Sequence, residues 1–113
     1  MAPNEIYLAS FPFGGSIGMK LRPVLLLTGP VGPVPEFLTA YISSVNPAVI
    51  LPSDLVLDPN LPEYASSGLK LTSTLRLHKL ATLHERTFVR RLGNLSQVAA
   101  TEVSQRLRVL LKI

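Results

Sequence analysis

The chain has 113 residues, the size of one domain, 1–113, with one hydrophobic core. A 47% hydrophobic and 16% charged composition excludes intrinsic disorder, and the absence of cysteine excludes a disulfide scaffold or a thiolate metal site. The net charge of +4 is uneven: residues 1–64 carry two basic against five acidic side chains, residues 65–113 nine against two. A basic half attracts polyanions, nucleic acid being the usual one, although a solvated basic surface gives the same pattern.

Residues 4–10 and 22–28 read as two strands, and Pro23-Val-Leu-Leu-Leu27 is apolar enough for burial on both faces. Between them Phe11-Pro-Phe-Gly-Gly-Ser-Ile-Gly18 reads as a glycine-rich hairpin loop. The apolar run from Pro23 to Pro35 is interrupted by Gly29, Pro30, Gly32 and Pro33, short of the roughly 20 unbroken residues of a membrane span. Glu5 precedes any basic residue, so the N-terminal stretch lacks the positive start of a signal peptide.

Residues 37–44 alternate, with Leu38, Ala40 and Ile42 opposite Thr39, Tyr41 and Ser43, as in a half-buried strand. Asp54 to Leu57 is a short strand candidate. Residues 69–78 alternate again, placing Leu71, Ser73, Leu75 and Leu77 opposite a polar set, Thr72, Thr74, Arg76 and His78. Short strands follow at 80–83 and 87–92. From Ser96, a capping residue, Val103, Leu107, Leu110 and Leu111 recur at helical spacing, and Arg106, Arg108 and Lys112 suit the negative end of the helix dipole. Many strands plus one terminal helix predict a mainly β fold with helical cover, an α+β small barrel or sheet.

Several motifs dissolve on inspection. Gly14-Gly-Ser-Ile-Gly18 spells G-x-S-x-G, but a nucleophile elbow needs a strand before, a helix after and a large α/β sheet around it. No Gly-Lys-Ser/Thr completes a P-loop. His78 and His84, with Glu85, lack metal-ligand spacing, so no metal or other cofactor is expected. Asp54 and Asp58 are read as finishing a turn beside Pro59 rather than as an acid–base pair. Three polar elements remain: Lys20 and Arg22 at a strand entrance, Ser43 on a strand face, and Arg76 with His78. The last two are same-face neighbours about 7 Å apart, able to bracket one phosphate or simply to be solvated.

In order along the chain, Phe11-Pro-Phe-Gly-Gly15, Lys20-Leu-Arg-Pro-Val-Leu-Leu-Leu27, Ala40-Tyr-Ile-Ser-Ser44, Gly68-Leu69, Ser73–Arg76, Lys79-Leu-Ala-Thr-Leu83 and Arg91-Leu-Gly-Asn-Leu-Ser96 resemble MazF/PemK-type toxins. The resemblance covers essentially the whole chain. It implies an SH3-like β-barrel with a C-terminal helix, assembled as a homodimer in the bacterial cytoplasm. It further implies sequence-specific, ribosome-independent and metal-free cleavage of single-stranded RNA, leaving 2′,3′-cyclic phosphate and 5′-OH ends. A cognate antitoxin with an acidic tail is the implied partner.

By position, Arg22 matches the Arg of the Arg-Pro motif and Ser43 the Thr/Ser closing its strand. Arg76 matches the Arg of an Arg-x-Asp element, with His78 standing where the Asp would be. Arg22, Ser43, Arg76 and His78 are therefore the expected catalytic set, His78 as a group that titrates near neutrality. Phe13, Lys20, Tyr41, Ser44, Thr74 and Lys79 are the expected RNA contacts, Phe13 and Tyr41 by stacking on unpaired bases or, alternatively, by core packing. Two other readings stand beside this one: an inactive RNA- or antitoxin-binding module of the same fold, which the His78 departure supports, and a gyrase poison of the CcdB type, which the absence of Trp disfavours.

Overall fold

A computed structural model describes residues 1–11 and 20–113. Phe13 and the G-x-S-x-G stretch lie outside the described residues. Six strands follow in chain order: β1 (Glu5–Phe11), β2 (Lys20–Leu26), β3 (Glu36–Ser43), β4 (Asp54–Leu57), β5 (Ser73–His84) and β6 (Phe88–Asn94); helix α1 (Gln97–Leu111) ends the chain. They form one antiparallel sheet in the order β4-β5-β3-β2-β1-β6. The mainly β architecture with a terminal helix is as expected.

The sheet is of the small-barrel type but is not sealed by strand pairing, since β4 and β6 remain its two edges. The segment after β4 reaches across to β6 instead. A short 3-10 helix, Pro62–Ser67, ends at Gly68 with φ of +75°, and there the backbone runs against Leu92 so closely that a Cβ on Gly68 collides with the Leu92 carbonyl. Gly93 meets the Ser66 and Ser67 backbone in the same way, and the Ser66 hydroxyl donates to the Asn94 carbonyl at 2.8 Å. Only glycine permits so close a backbone approach.

Two cores form, one per face. Ile6, Leu25, Ala40, Ile42, Leu55, Leu57, Leu75 and Leu77 pack under Leu95, Ala99 and Val103 of the helical end. Ala9, Phe11, Val24 and Leu83 make a second cluster with Tyr7, Tyr41, Ala81 and Phe88 around it. Val24 and Leu25 thus face opposite cores, so β2 is buried on both sides as its sequence predicts.

Two expectations change. Residues 69–78 and 80–83 are not two strands: 69–72 lie outside the sheet, and Ser73–His84 is one strand. Its register against β3 jumps from Ala40↔Leu80 to Tyr41↔Arg76, leaving residues 77–79 without partners on β3. This bulge shifts the phase of the apolar alternation, which in sequence looks like a strand end. The apolar face of α1 also stops early. Ser96 caps the helix by accepting from the Ala99 amide, but Leu110 and Leu111 are 37% and 52% exposed. Opposite Leu110 lies an open groove of about 320 Å³, lined by Leu51, Pro52, His78, Arg106 and Val109, rather than sheet.

Candidate functional site

Antiparallel partners share a face of the sheet, so register alone places the polar side chains. Ala9 pairs with Arg22, and Ser43 with Thr74. β2 and β3 pair through Val24↔Tyr41, and the next same-face positions on the two strands are Arg22 and Ser43. Continuing the register one step past the last β2–β3 pair gives a lateral row, Ala9–Arg22–Ser43–Thr74. The adjoining row is Tyr7–Val24–Tyr41–Arg76–Asp54.

Arg22 is half-buried, and its buried Nε has no hydrogen-bond partner among the described residues. A buried, unmet N–H costs roughly 1–3 kcal/mol. The Ser43 hydroxyl donates to the Val45 carbonyl at 2.9 Å while accepting from the Val45 amide. That turn fixes Oγ at the end of β3. Thr74, last in the row, is fully buried and donates its hydroxyl to Asn46 Oδ1 at 2.8 Å, so it does not meet solvent.

Tyr41 lies in the next row. Phe11 stacks on it with ring centroids 5.2 Å apart, and the Lys79 ammonium stands over the ring 5.7 Å from its centroid. A base stacking on Tyr41 has to displace one of them. Lys20, which opens β2, and Ser44, which follows β3, are both exposed.

Arg76 and His78 belong to a second cluster. Arg76 Nε donates to Asp54 Oδ1 at 2.9 Å and its terminal nitrogen approaches Oδ2 at 3.4 Å. His78 Nδ1 lies 2.7 Å from Ser53 Oγ and 4.0 Å from Asp54 Oδ1. Burial pushes the Asp54 carboxyl upward, but the Arg76 hydrogen bond, the Leu51 amide and the Arg76 and His78 charges outweigh it and hold the group low. His78 is also held low, by burial first and then by the Arg76 charge, against an opposing pull from Asp54. Near neutral pH the cluster therefore contains a carboxylate, a guanidinium and a neutral imidazole.

The two clusters are distinct. His78 lies four residues beyond Thr74 on β5, past the register shift that opens after Arg76. Register thus sets Arg22 and Ser43 one step past the last β2–β3 pair, Arg76 in the next row beside Tyr41, and His78 with Ser53 and Asp54.

Asp54, read from sequence as finishing a turn, is instead the buried hub of the second cluster; Asp58 does close a turn, accepting from the Asn60 amide at 3.0 Å. Ser53, Asn46 and Arg106 were also invisible. Arg106, placed by sequence at the helix dipole, binds the Pro52 and Asp54 carbonyls at 3.0 and 2.9 Å and Glu102 at 2.8 Å. The one available signal was Asp54 itself, an acid at the head of an otherwise apolar Leu-Val-Leu strand.

Among the described residues no three His, Asp or Glu side chains gather to hold a metal ion, and no helix is long and apolar enough to cross a membrane.

Residues 2–111 match the family model for the PemK-like, MazF-like toxin of type II toxin–antitoxin systems. No curated protein sequence matches the chain significantly. Among solved structures it is similar to the Mycobacterium tuberculosis toxin MazF-mt6, with a TM-score of 0.72 at 19% identity over 96% of this chain and 97% of that one. An endoribonuclease in complex with its cognate antitoxin from a mycobacterial species aligns with a TM-score of 0.69 at 13% identity, covering 100% and 96% of the two chains. A MazE–MazF structure from Deinococcus radiodurans aligns at 0.65 with 18% identity over 99% and 95%. At these identities the likeness establishes a common fold.

Proposed function

The chain belongs to the PemK-like, MazF-like toxins of type II toxin–antitoxin systems, and from that premise we propose that it is a metal-free endoribonuclease that cuts single-stranded RNA at short specific sequences. The supporting observation is the placement of Arg22 and Ser43: a half-buried guanidinium with an unmet Nε, and a fixed hydroxyl at the same-face position of the neighbouring strand, one step past the last paired residues.

RNA carries its own nucleophile. The 2′-OH attacks the adjacent phosphorus, its proton passing to a base; the bond to the 5′-oxygen breaks as that oxygen takes up a proton, leaving a 2′,3′-cyclic phosphate and a 5′-OH. What the reaction demands of the protein is stabilisation of the phosphorane-like charge. A guanidinium does this through two oxygens at once and stays charged throughout. Ser43 adds a hydrogen bond to the same phosphate once its proton turns from Val45. Arg76 serves a neighbouring phosphate, and His78, one step further, contacts RNA away from the scissile bond.

The endoribonuclease and antitoxin complexes named among the similar structures support the same reading. In it the protein is a homodimer acting in the bacterial cytoplasm, and an antitoxin with an acidic tail competes with RNA for the basic face.

The deciding experiment incubates the protein and its Arg22→Ala variant with a long unstructured RNA in EDTA and maps the new ends. Discrete cuts with 5′-OH ends, absent in the variant, are expected. Loss of cutting in EDTA overturns the metal-free mechanism, and an intact set of varied transcripts favours a binding module without activity.

A further inference from the structure

The Asp54 side chain is 0% exposed, and a carboxylate so buried is costly unless it is fully bonded. Oδ1 accepts from Arg76 Nε, and Oδ2 accepts from the Leu51 amide at 2.9 Å and faces the Arg76 terminal nitrogen. The backbone that carries it is also fixed: the Asp54 amide donates to the Leu51 carbonyl at 2.9 Å, and the Asp54 carbonyl is gripped by Arg106 of α1. The carboxylate therefore has one orientation, and it holds Arg76 by one edge. The Nη1 corner of that guanidinium has no hydrogen-bond partner among the described residues, while the Arg76 side chain keeps 17% exposure.

We infer that Asp54 is a positioning residue, gripping the Nε/Nη2 edge of Arg76 so that the Nη1 corner is kept for an RNA phosphate next to the one at Arg22. The inference rests on the ribonuclease reading. A guanidinium can serve two anions at once because its five donors are spread around a rigid plane; an ammonium held by the same carboxylate cannot do so in fixed geometry.

Counting phosphate contacts tests it. Binding to an unstructured 2′-O-methyl RNA, which lacks the attacking hydroxyl, is measured across a salt series. Each lost contact flattens the slope of log affinity against log salt by about 0.7 for a single strand. Arg76→Gln and Asp54→Asn are each expected to flatten it by about 0.7, and the double variant by no more than either. A simple charge effect runs the other way, because removing a carboxylate makes the face more positive and steepens the slope. Circular dichroism reports whether Asp54→Asn is folded. If it is not, Arg76→Lys decides: with charge conserved but the ammonium taken by Asp54, the slope flattens by the same amount. A folded Asp54→Asn protein, or an Arg76→Lys protein, with the wild-type slope overturns the inference alone. Wild-type protein with no salt-dependent RNA binding overturns the ribonuclease reading and the inference with it.

Discussion

Ser53 Oγ and His78 Nδ1 lie 2.7 Å apart across the β4–β5 edge, so the imidazole of His78 is tethered to the turn that also presents Asp54. Burial and the Arg76 charge hold the His78 titration below the ordinary histidine range. The unfolded chain therefore binds the His78 proton at higher pH than the folded chain does. Stability from this group is complete above the unfolded value, near 6.5, and is lost as pH falls toward the folded value. Asp54, also held low, adds a second loss at more acid pH. An NMR titration of His78 should give a midpoint below that of free histidine, and thermal melts should show Tm falling from pH 7 to 5 less steeply in His78→Gln. A midpoint above free histidine reverses the sign.

Arg22→Ala should separate activity from stability. The Nε makes no hydrogen bond among the described residues, so no protein bond is lost from that atom. Cleavage is expected to fall on the order of 10²–10³-fold, as for the loss of one positioned electrostatic donor, while Tm moves only a few degrees. A melt collapsed in proportion to activity means that Arg22 is structural.

Ser43 offers a graded series. Ser43→Ala removes both the hydroxyl and the turn bonds to Val45, and about tenfold slower cutting is expected, the worth of one hydrogen bond of about 1.4 kcal/mol. Ser43→Thr keeps the hydroxyl and should retain most of the rate. Equal losses in the two variants assign the effect to packing at the strand end.

Closure of the sheet can be tested apart from chemistry. A Cβ on Gly93 collides with the Ser66 and Ser67 backbone, and neither side is a flexible side chain. Gly93→Ala should destabilise by about 3 kcal/mol, the upper range for overpacking. Gly68→Ala should cost more, because its φ of +75° adds a left-handed penalty of roughly 1–2 kcal/mol. Urea unfolding curves measure both; a midpoint within error of wild type excludes the tight seating of the 3-10 helix on β6.

What the sequence determined by itself is whatever depends on short-range pattern. The paired apolar faces of Val24 and Leu25, the alternation of Ala40 and Ile42 against Tyr41 and Ser43, and the Ser96 cap are all local consequences of strand period, helix period and cap chemistry. The same alternation sets Ser43 and Arg76 opposite Ile42, Leu75 and Leu77, and the ordered motifs mark the family.

Tertiary structure decided what depends on which strand lies beside which. The bulge at residues 77–79 exists because β5 must pair with β3 on both sides of a bend, a demand that no window of β5 contains. The partnership of Asp54 with Arg76 joins residues 22 positions apart through β4–β5 pairing. The division into an Arg22–Ser43 row and a separate His78 cluster follows likewise from register across four strands. A side chain's type and period are written in its neighbours along the chain, but its electrostatic partner is set by long-range pairing, where a shift of one residue puts every side chain on the other face.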